Sequence, residues 1–174
     1  MIDRRAADGG ERPGSERRRL LVIGIGNRHR GDDAIGPLAA EAVGARFPDS
    51  VDVEVVAGDP STLPLRWSTD RDVVVIDAAV VRGSAVPGTL IEFDGLNHRW
   101  PVETGISSHG FDLATTIELA RRLGRLPASL TVLAVAIDAG RVEHLAPPSQ
   151  VIREAVDEVV DRVASLSGLS DRLS

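Results

Sequence analysis

Residues 20–36, LLVIGIGNRHRGDDAIG, join a continuous apolar run to a turn rich in glycine and aspartate. The run over 20–25 ends at a glycine and predicts a buried strand. A helix is predicted over 33–46, because apolar residues recur there on one face. Pro37 is compatible with this helix only if it lies in the first turn. This order of strand, turn and helix is typical of the first unit of an α/β fold.

The rest of the chain repeats the alternation of strand and helix. Runs of β-branched and apolar residues predict strands at 51–57, 72–80, 88–93 and 129–137. Apolar residues at helical spacing predict helices at 111–124 and 149–166. Leu123 and Val151 belong to the apolar stripes of these helices and are expected inside, and Ser149 can cap the last helix. The pattern predicts a single three-layer α/β domain, with a mainly parallel sheet of about five strands and helices on both faces.

The ends of the chain differ in composition from this domain. Residues 1–19 are polar, rich in Gly and Arg, and lack the apolar segment of a signal peptide, so we predict a disordered leader. The α/β domain is expected over 20–167, followed by a flexible tail over 168–174. No apolar run reaches the length that crosses a membrane. A chain without cysteine fits a reducing compartment, and we expect a cytoplasmic location.

Composition excludes several kinds of chemistry. The 174 residues contain no cysteine, so thiolate zinc sites and a cysteine nucleophile are excluded. All 20 residues counted as Lys or Arg are arginine, which excludes a lysine Schiff base and a P-loop lysine. The formal net charge of −6 argues against a nucleic-acid partner, which usually needs a basic face.

The turn after the first strand resembles a nucleotide-binding loop but carries the wrong charge for one. A dinucleotide fingerprint needs a third glycine where His29 stands, and a P-loop needs Lys and Ser or Thr where Asp32 and Asp33 stand. Two carboxylates at a helix start repel phosphate, so the turn suits a cation or a polar group. One aspartate can cap the helix, and a pair exceeds what capping requires. Asn27 can pin the turn or contact a substrate.

Two further polar residues stand near predicted strand or helix ends. Asp59 follows the second strand in an ordinary Gly-Asp-Pro turn, and His109 precedes a helix. Ligands of open α/β sheets bind at the carboxyl ends of the strands. Two carboxylates with one imidazole would suit zinc or a divalent transition metal. Sequence spacing alone does not bring His109 to the two acids.

Four separated motifs occur in an order that resembles a known family. They are VIGIGNRHRGDDAIG at 22–36, GDPSTLPL at 58–65, VVVIDAAVVRGSAVPGTLIEF at 73–93 and SSHGFDLATTIELARRLGRLP at 107–127. The first is similar to the opening G-x-G-N-x4-D-[DE]-x-x-G of the hydrogenase maturation endopeptidases. Members of that family trim the C-terminus of the large subunit of nickel-iron hydrogenases. The resemblance covers about residues 20–166, nearly the whole chain after the leader.

The resemblance implies a metal-recognising peptidase. Its metal-contacting and catalytic positions fall on Asp33, Asp59 and His109. Substrate-binding candidates in the same crevice are Gly26, Asn27 and Asp77, and Asp77 fits a polar residue that ends a buried strand equally well. The implied metal is nickel carried by the large-subunit precursor, with zinc or another divalent ion as a surrogate. A water molecule would attack the peptide carbonyl, with Asp33 or Asp59 as the general base.

Two departures and two alternatives accompany this resemblance. Arg28, His29 and Arg30 make the first loop more charged than the family pattern, and Pro60 and Pro64 stand in the second motif. One alternative is an esterase like peptidyl-tRNA hydrolase, which needs a histidine soon after the turn and a basic surface for tRNA. The other is a non-catalytic nickel-sensing or chaperone module, because the same three ligands would serve binding as well as cleavage. The sequence does not indicate an oligomeric state.

Overall fold

The structure is a computed structural model that describes residues 19–80, 86–97 and 108–168, with the side chains of 108–112 outside the description. The predicted leader and tail therefore lie outside the described residues, apart from positions 19 and 168. The strands are β1 (Leu20–Ile25), β2 (Val51–Val56), β3 (Asp72–Val80), β4 (Leu90–Asp94) and β5 (Ser129–Ile137). The α-helices are α1 (Ile35–Arg46), α2 (Ser108–Arg122) and α3 (Gln150–Leu166). Short 3-10 helices cover Gly31–Ala34, Pro60–Leu65 and Ala139–Arg141.

The strands form one sheet in the order β2-β1-β3-β5-β4. The pairs β2–β1, β1–β3 and β3–β5 are parallel, whereas β4 runs antiparallel to β5. The prediction of a mainly parallel sheet of about five strands is confirmed. The chain moves from β1 outward to β2 and then returns to β3 on the other side of β1. The strand order therefore reverses between β1 and β3, which is where α/β sheets form a ligand crevice.

Alternating side chains of the strands feed two cores, one on each face of the sheet. On the first face Val22, Val74 and Ile76 pack with apolar residues of α1 and α3. On the second face Ile23 and Val75 pack with residues of α2 and of the 3-10 helix Pro60–Leu65. The three-layer arrangement with helices on both faces is thereby confirmed.

The start of α1 is pressed against the ends of two strands. A Cβ at Gly36 would lie 2.1 Å from the Ile25 carbonyl oxygen and 2.7 Å from that of Ile76. A Cβ at Gly24 would lie 2.2 Å from the Gly36 carbonyl oxygen. Only glycine allows this approach, which holds the turn between β1 and α1 directly above the β1–β3 crevice.

Tertiary contacts change three details of the predicted elements. The helix predicted over 33–46 is divided into the 3-10 helix Gly31–Ala34 and α1, with Pro37 in the first turn of α1 as expected. Leu123 is wrongly predicted as a core residue, because α2 ends at Arg122 and leaves Leu123 60% exposed. Val151 is also wrongly predicted inside and is 43% exposed in the first turn of α3. No helix within the described ranges has the length and apolarity needed to cross a bilayer.

Candidate active site

The turn after β1 folds back on itself around Gly26. Gly26 has a φ of +134°, and a Cβ there would lie 2.1 Å from the Asp33 carbonyl oxygen. The Oδ1 atom of Asn27 accepts a hydrogen bond from the His29 amide at 2.9 Å. The Asn27 backbone amide donates to Oδ2 of Asp33 at 3.0 Å. Of the two roles expected for the Asn27 side chain, the structure shows the one that pins the turn.

The two adjacent aspartates of this turn are both buried and have different partners. Asp33 is 3% exposed, and within the described residues its carboxylate accepts one hydrogen bond, from the Asn27 backbone amide. Asp32 is 2% exposed and accepts from Ser149, at 2.7 Å from the amide and 3.1 Å from the hydroxyl. The Ser149 hydroxyl accepts in turn from the Ile152 amide and caps α3, as predicted. Asp32 thus fastens the turn to α3, while Asp33 keeps acceptor capacity at the crevice.

Asp77 brings a second buried carboxylate to the same crevice. It lies in β3, is 4% exposed, and accepts a 2.8 Å hydrogen bond from the Ala78 amide. Burial raises the pKa of Asp77 well above its ordinary value, the Ala78 hydrogen bond opposes this, and the charge of Asp33 raises it further. Ile76 pairs with Gly24 of β1, so Asp77 lies beside the end of β1, next to the turn that carries Asp33.

Asp59 has a different environment at the end of β2. It is exposed, and its Oδ1 atom accepts from the Ser61 amide at 2.9 Å, which caps the 3-10 helix Pro60–Leu65. The backbone and side-chain hydrogen bonds from Ser61 lower the pKa of Asp59. Pro64 lies inside this helix, which stays 3-10 in form. Asp59 therefore stands at the carboxyl edge of the sheet as a solvated, ionised cap.

His109 is predicted to precede the helix, but α2 begins at Ser108 and contains His109 in its first turn; the His109 side chain is outside the described atoms. A short connection leads from the end of α2 to β5, so α2 runs antiparallel to β5 and begins near the carboxyl edge of the sheet. Helix α2 covers the second face of the sheet. The Asp77 side chain belongs to the same face, because side chains alternate along β3 and Ile76 belongs to the first face. The backbone thus places His109 on the same side and towards the same edge as Asp77.

Within the described residues no three His, Cys, Asp or Glu side chains are close enough together to hold a metal ion. The His109 side chain lies outside the described atoms, so the metal set of Asp33, Asp59 and His109 stays a prediction. No sequence pattern indicates the contact between Asp32 and Ser149, which are 117 positions apart. One feature of the sequence could have indicated that Asp77 is buried: it is an acidic residue inside a run of apolar residues.

Known proteins resemble the chain in both sequence and fold. It is 32% identical over 120 residues to the hydrogenase 2 maturation protease of Escherichia coli strain K12, a match that covers 67% of this chain and 72% of that protein. The hydrogenase maturating endopeptidase HybD of E. coli superposes with a TM-score of 0.70 at 24% identity, over 88% of this chain and 94% of that one. An endopeptidase of E. coli solved in solution gives a TM-score of 0.65 at 25% identity, over 85% and 91% of the two chains. No family profile matches the chain.

A three-layer α/β fold with buried acids at its strand-order reversal defines a class of enzyme with a polar crevice at the carboxyl edge. The sequence match to a maturation protease shows that, within this class, the chain is a peptidase. The chain belongs to the hydrogenase maturation protease family. It is accordingly an enzyme, an endopeptidase, and the alternatives of a tRNA-directed esterase and a non-catalytic module are not supported.

Proposed function

We propose that this endopeptidase removes a C-terminal peptide from the large-subunit precursor of a nickel-iron hydrogenase after nickel has been inserted. The observation that carries this proposal is the burial of two carboxylates, Asp33 and Asp77, at the reversal of strand order between β1 and β3. A precursor that presents a cation there offsets the repulsion between the two acids, whereas a precursor without metal does not. The cysteine-free composition supports the cytoplasm as the compartment of this reaction.

The nickel ion enters this proposal as part of the substrate, contacted by Asp33 and His109 and by a second carboxylate. Motif order assigns that second carboxylate to Asp59. The environment favours Asp77, because it is buried and senses the charge of Asp33, whereas Asp59 faces solvent and caps a helix. A cation bound beside Asp77 would release its proton, as metal binding does for carboxyl ligands generally. Zinc or another divalent ion serves as a surrogate for nickel in binding tests.

The proposed chemistry is hydrolysis without a covalent enzyme intermediate. A water oxygen adds to the carbonyl carbon of the scissile peptide, and a carboxylate takes the proton that the water releases. The same proton then passes to the leaving nitrogen as the carbon–nitrogen bond breaks, which yields a new carboxyl terminus and a peptide amine. Asp33 and Asp59 are the candidate bases. The ionised state of Asp59 at neutral pH suits the role of acceptor, although its lowered pKa makes it a weak base.

A processing assay with three matched variants tests this function. Nickel-loaded and nickel-free precursor are mixed with sub-stoichiometric protein, and the mass of the precursor is followed. We expect multiple turnovers that shorten only the nickel-loaded precursor, and loss of turnover in Asp33→Asn and Asp77→Asn. Asp157→Asn on the exposed side of α3 is the control and should process normally. Equal cleavage with and without nickel would overturn metal recognition, and binding without cleavage would overturn the peptidase assignment.

A further inference from the structure

The turn that carries Asp33 is joined to the segment after β5. The Leu145 amide donates to the His29 carbonyl at 2.6 Å, and the Gly31 amide donates to the Ala146 carbonyl at 3.0 Å. A Cβ at Gly31, whose φ is +58°, would lie 2.0 Å from the Arg141 carbonyl oxygen. Residues 28–30 and 141–145 therefore form one continuous surface next to the candidate active site, which we call the rim surface.

Leu145 occupies a backbone conformation that its side chain disfavours. Its φ is +62°, and the other residues with positive φ in the described ranges are glycines. Its side chain is 76% exposed, so core packing does not compensate for the strained backbone. A glycine would satisfy the same hydrogen bond to His29 without strain. Folding therefore gives no reason for a leucine here, and an exposed apolar side chain fixed beside an active site indicates contact with another molecule.

The charges of the rim surface are opposite in sign to the net charge of the chain, which is −6. Arg30 and Arg141 are exposed, and no described hydrogen bond or ion pair engages either guanidinium group. Arg28, by contrast, pairs with Glu41 of α1. Glu143 is the acidic side chain within the rim surface. Within the part of the chain that the structure describes, both guanidinium groups are therefore available to carboxylates of a partner.

We propose that the rim surface is the docking site that selects the precursor, with an apolar side chain of the precursor against Leu145 and acidic groups at Arg30 and Arg141. This proposal rests on the proposed function. The precursor is favoured over a second copy of this chain because the surface continues into the turn that holds Asp33, which the cleaved segment must approach. The rim surface thus determines specificity, while the buried acids act on the metal and the peptide bond.

Steady-state processing of nickel-loaded precursor by Leu145→Gly tests the apolar contact. We expect KM to rise by about tenfold or more with kcat within about twofold of the wild type, because the contact serves binding and not the chemical step. Leu123→Ala is the matched control, since Leu123 is 60% exposed just after the end of α2 and its substitution should leave KM unchanged. An unchanged KM in Leu145→Gly overturns the proposal.

Charge reversal tests the polar contact. Arg30→Glu and Arg141→Glu should each raise KM by about tenfold or more and weaken the dependence of KM on salt. Arg125→Glu, an exposed arginine beyond α2, is the control and should change neither. If the reversed variants keep the wild-type KM and salt dependence, the proposed partner chemistry is wrong.

A direct binding measurement separates this proposal from the proposed function. The affinity for nickel-loaded precursor is measured for the wild type and for Leu145→Gly without reference to cleavage. Weaker binding by Leu145→Gly supports the rim surface even if the wild type does not cleave, a result that would overturn only the peptidase function. Equal binding overturns the rim surface even if cleavage occurs. Dimerisation of the wild type that Leu145→Gly abolishes would assign the surface to a second copy of this chain and overturn the precursor assignment.

Discussion

Asp59 follows the end of β2, and Asp77 lies inside β3. Both aspartates lie towards the same edge of the sheet, but their environments are opposite. Asp59 is exposed, and hydrogen bonds from Ser61 lower its pKa. Asp77 is 4% exposed, and burial raises its pKa, with a further contribution from the charge of Asp33. Residue type and motif order do not distinguish the two acids, whereas desolvation and hydrogen bonding do. A buried acid with a perturbed pKa is the stronger candidate for function, because the fold alone gains nothing from its burial.

The largest expected effect belongs to Asp77→Asn. Processing should fall by about a hundredfold or more, because the variant loses the carboxylate that faces the proposed cation. The same change should stabilise the protein at neutral pH. The folded-state pKa of Asp77 is raised, so the wild type loses stability as pH rises through the ordinary carboxyl range towards that higher pKa, and asparagine does not titrate.

Thermal unfolding of both proteins between about pH 4 and about pH 8 checks the sign of that effect. The stability difference in favour of Asp77→Asn should be small at the acidic end and grow towards neutral pH. A difference of constant size across this range would show that the substitution acts through packing and not through ionisation. Retained processing would remove Asp77 from the site.

Asp32→Ala extends the comparison to an acid that is buried but hydrogen-bonded. The substitution removes both Ser149 contacts and should lower the free energy of unfolding by about 1–3 kcal/mol. Chemical denaturation of Asp32→Ala, Ser149→Ala and the double variant measures the coupling. The two single effects should not add fully, since both remove the hydrogen bond between the Ser149 hydroxyl and Asp32, while the bond from the Ser149 backbone amide is lost only with Asp32. Additive effects would show that Asp32 and Ser149 act independently.

With Asp33 as the general base, Asp59→Asn should reduce processing less than Asp77→Asn does, by about tenfold or less, because the proposed cation does not depend on Asp59. The asparagine side chain can still accept from the Ser61 amide, so the cap of the 3-10 helix is kept. Parallel turnover measurements on the two variants decide whether Asp59, which motif order favours, or Asp77, which its buried environment favours, is the second carboxylate. A greater loss in Asp59→Asn than in Asp77→Asn would reverse the assignment of the second carboxylate.

The sequence was sufficient for the sheet because strand signals are local. β1, β3 and β5 have the predicted bounds, since each is rich in apolar and β-branched residues. The division of the first predicted helix was not predictable, because it depends on the contact of Gly36 with Ile25 and Ile76. The exposure of Leu123 likewise depends on where α2 ends, and a helical repeat does not fix that residue.

For the candidate site, motif order identified the acids but could not determine their environments. The alternation of side chains in a strand places Asp77 opposite to Ile76, yet only the assembled fold shows that Asp33 influences its pKa. The roles of Asp32 and Ser149 depend on a contact between distant parts of the chain. Such contacts leave no periodic signal in a single sequence. The metal ligands proposed from the motifs are therefore tested with the Asp77→Asn and Asp59→Asn variants.

The smallest expected effect, that of Leu145→Gly on stability, extends the comparison from buried charge to backbone strain. Leu145 has a φ of +62° and an exposed side chain, so glycine relieves strain and removes little packing. Glycine also increases the entropy of the unfolded chain, which offsets part of this relief. The free energy of unfolding should therefore rise by about 0.5–1 kcal/mol. Urea unfolding measures it, with Leu123→Gly as a control that relieves no known strain. A stabilised Leu145→Gly with weakened precursor binding would show that the chain keeps a costly residue for recognition, as we propose that it keeps the buried Asp77 for its reaction. A destabilised variant would instead mean that the leucine side chain supports the loop, and the strain argument for the rim surface would fail.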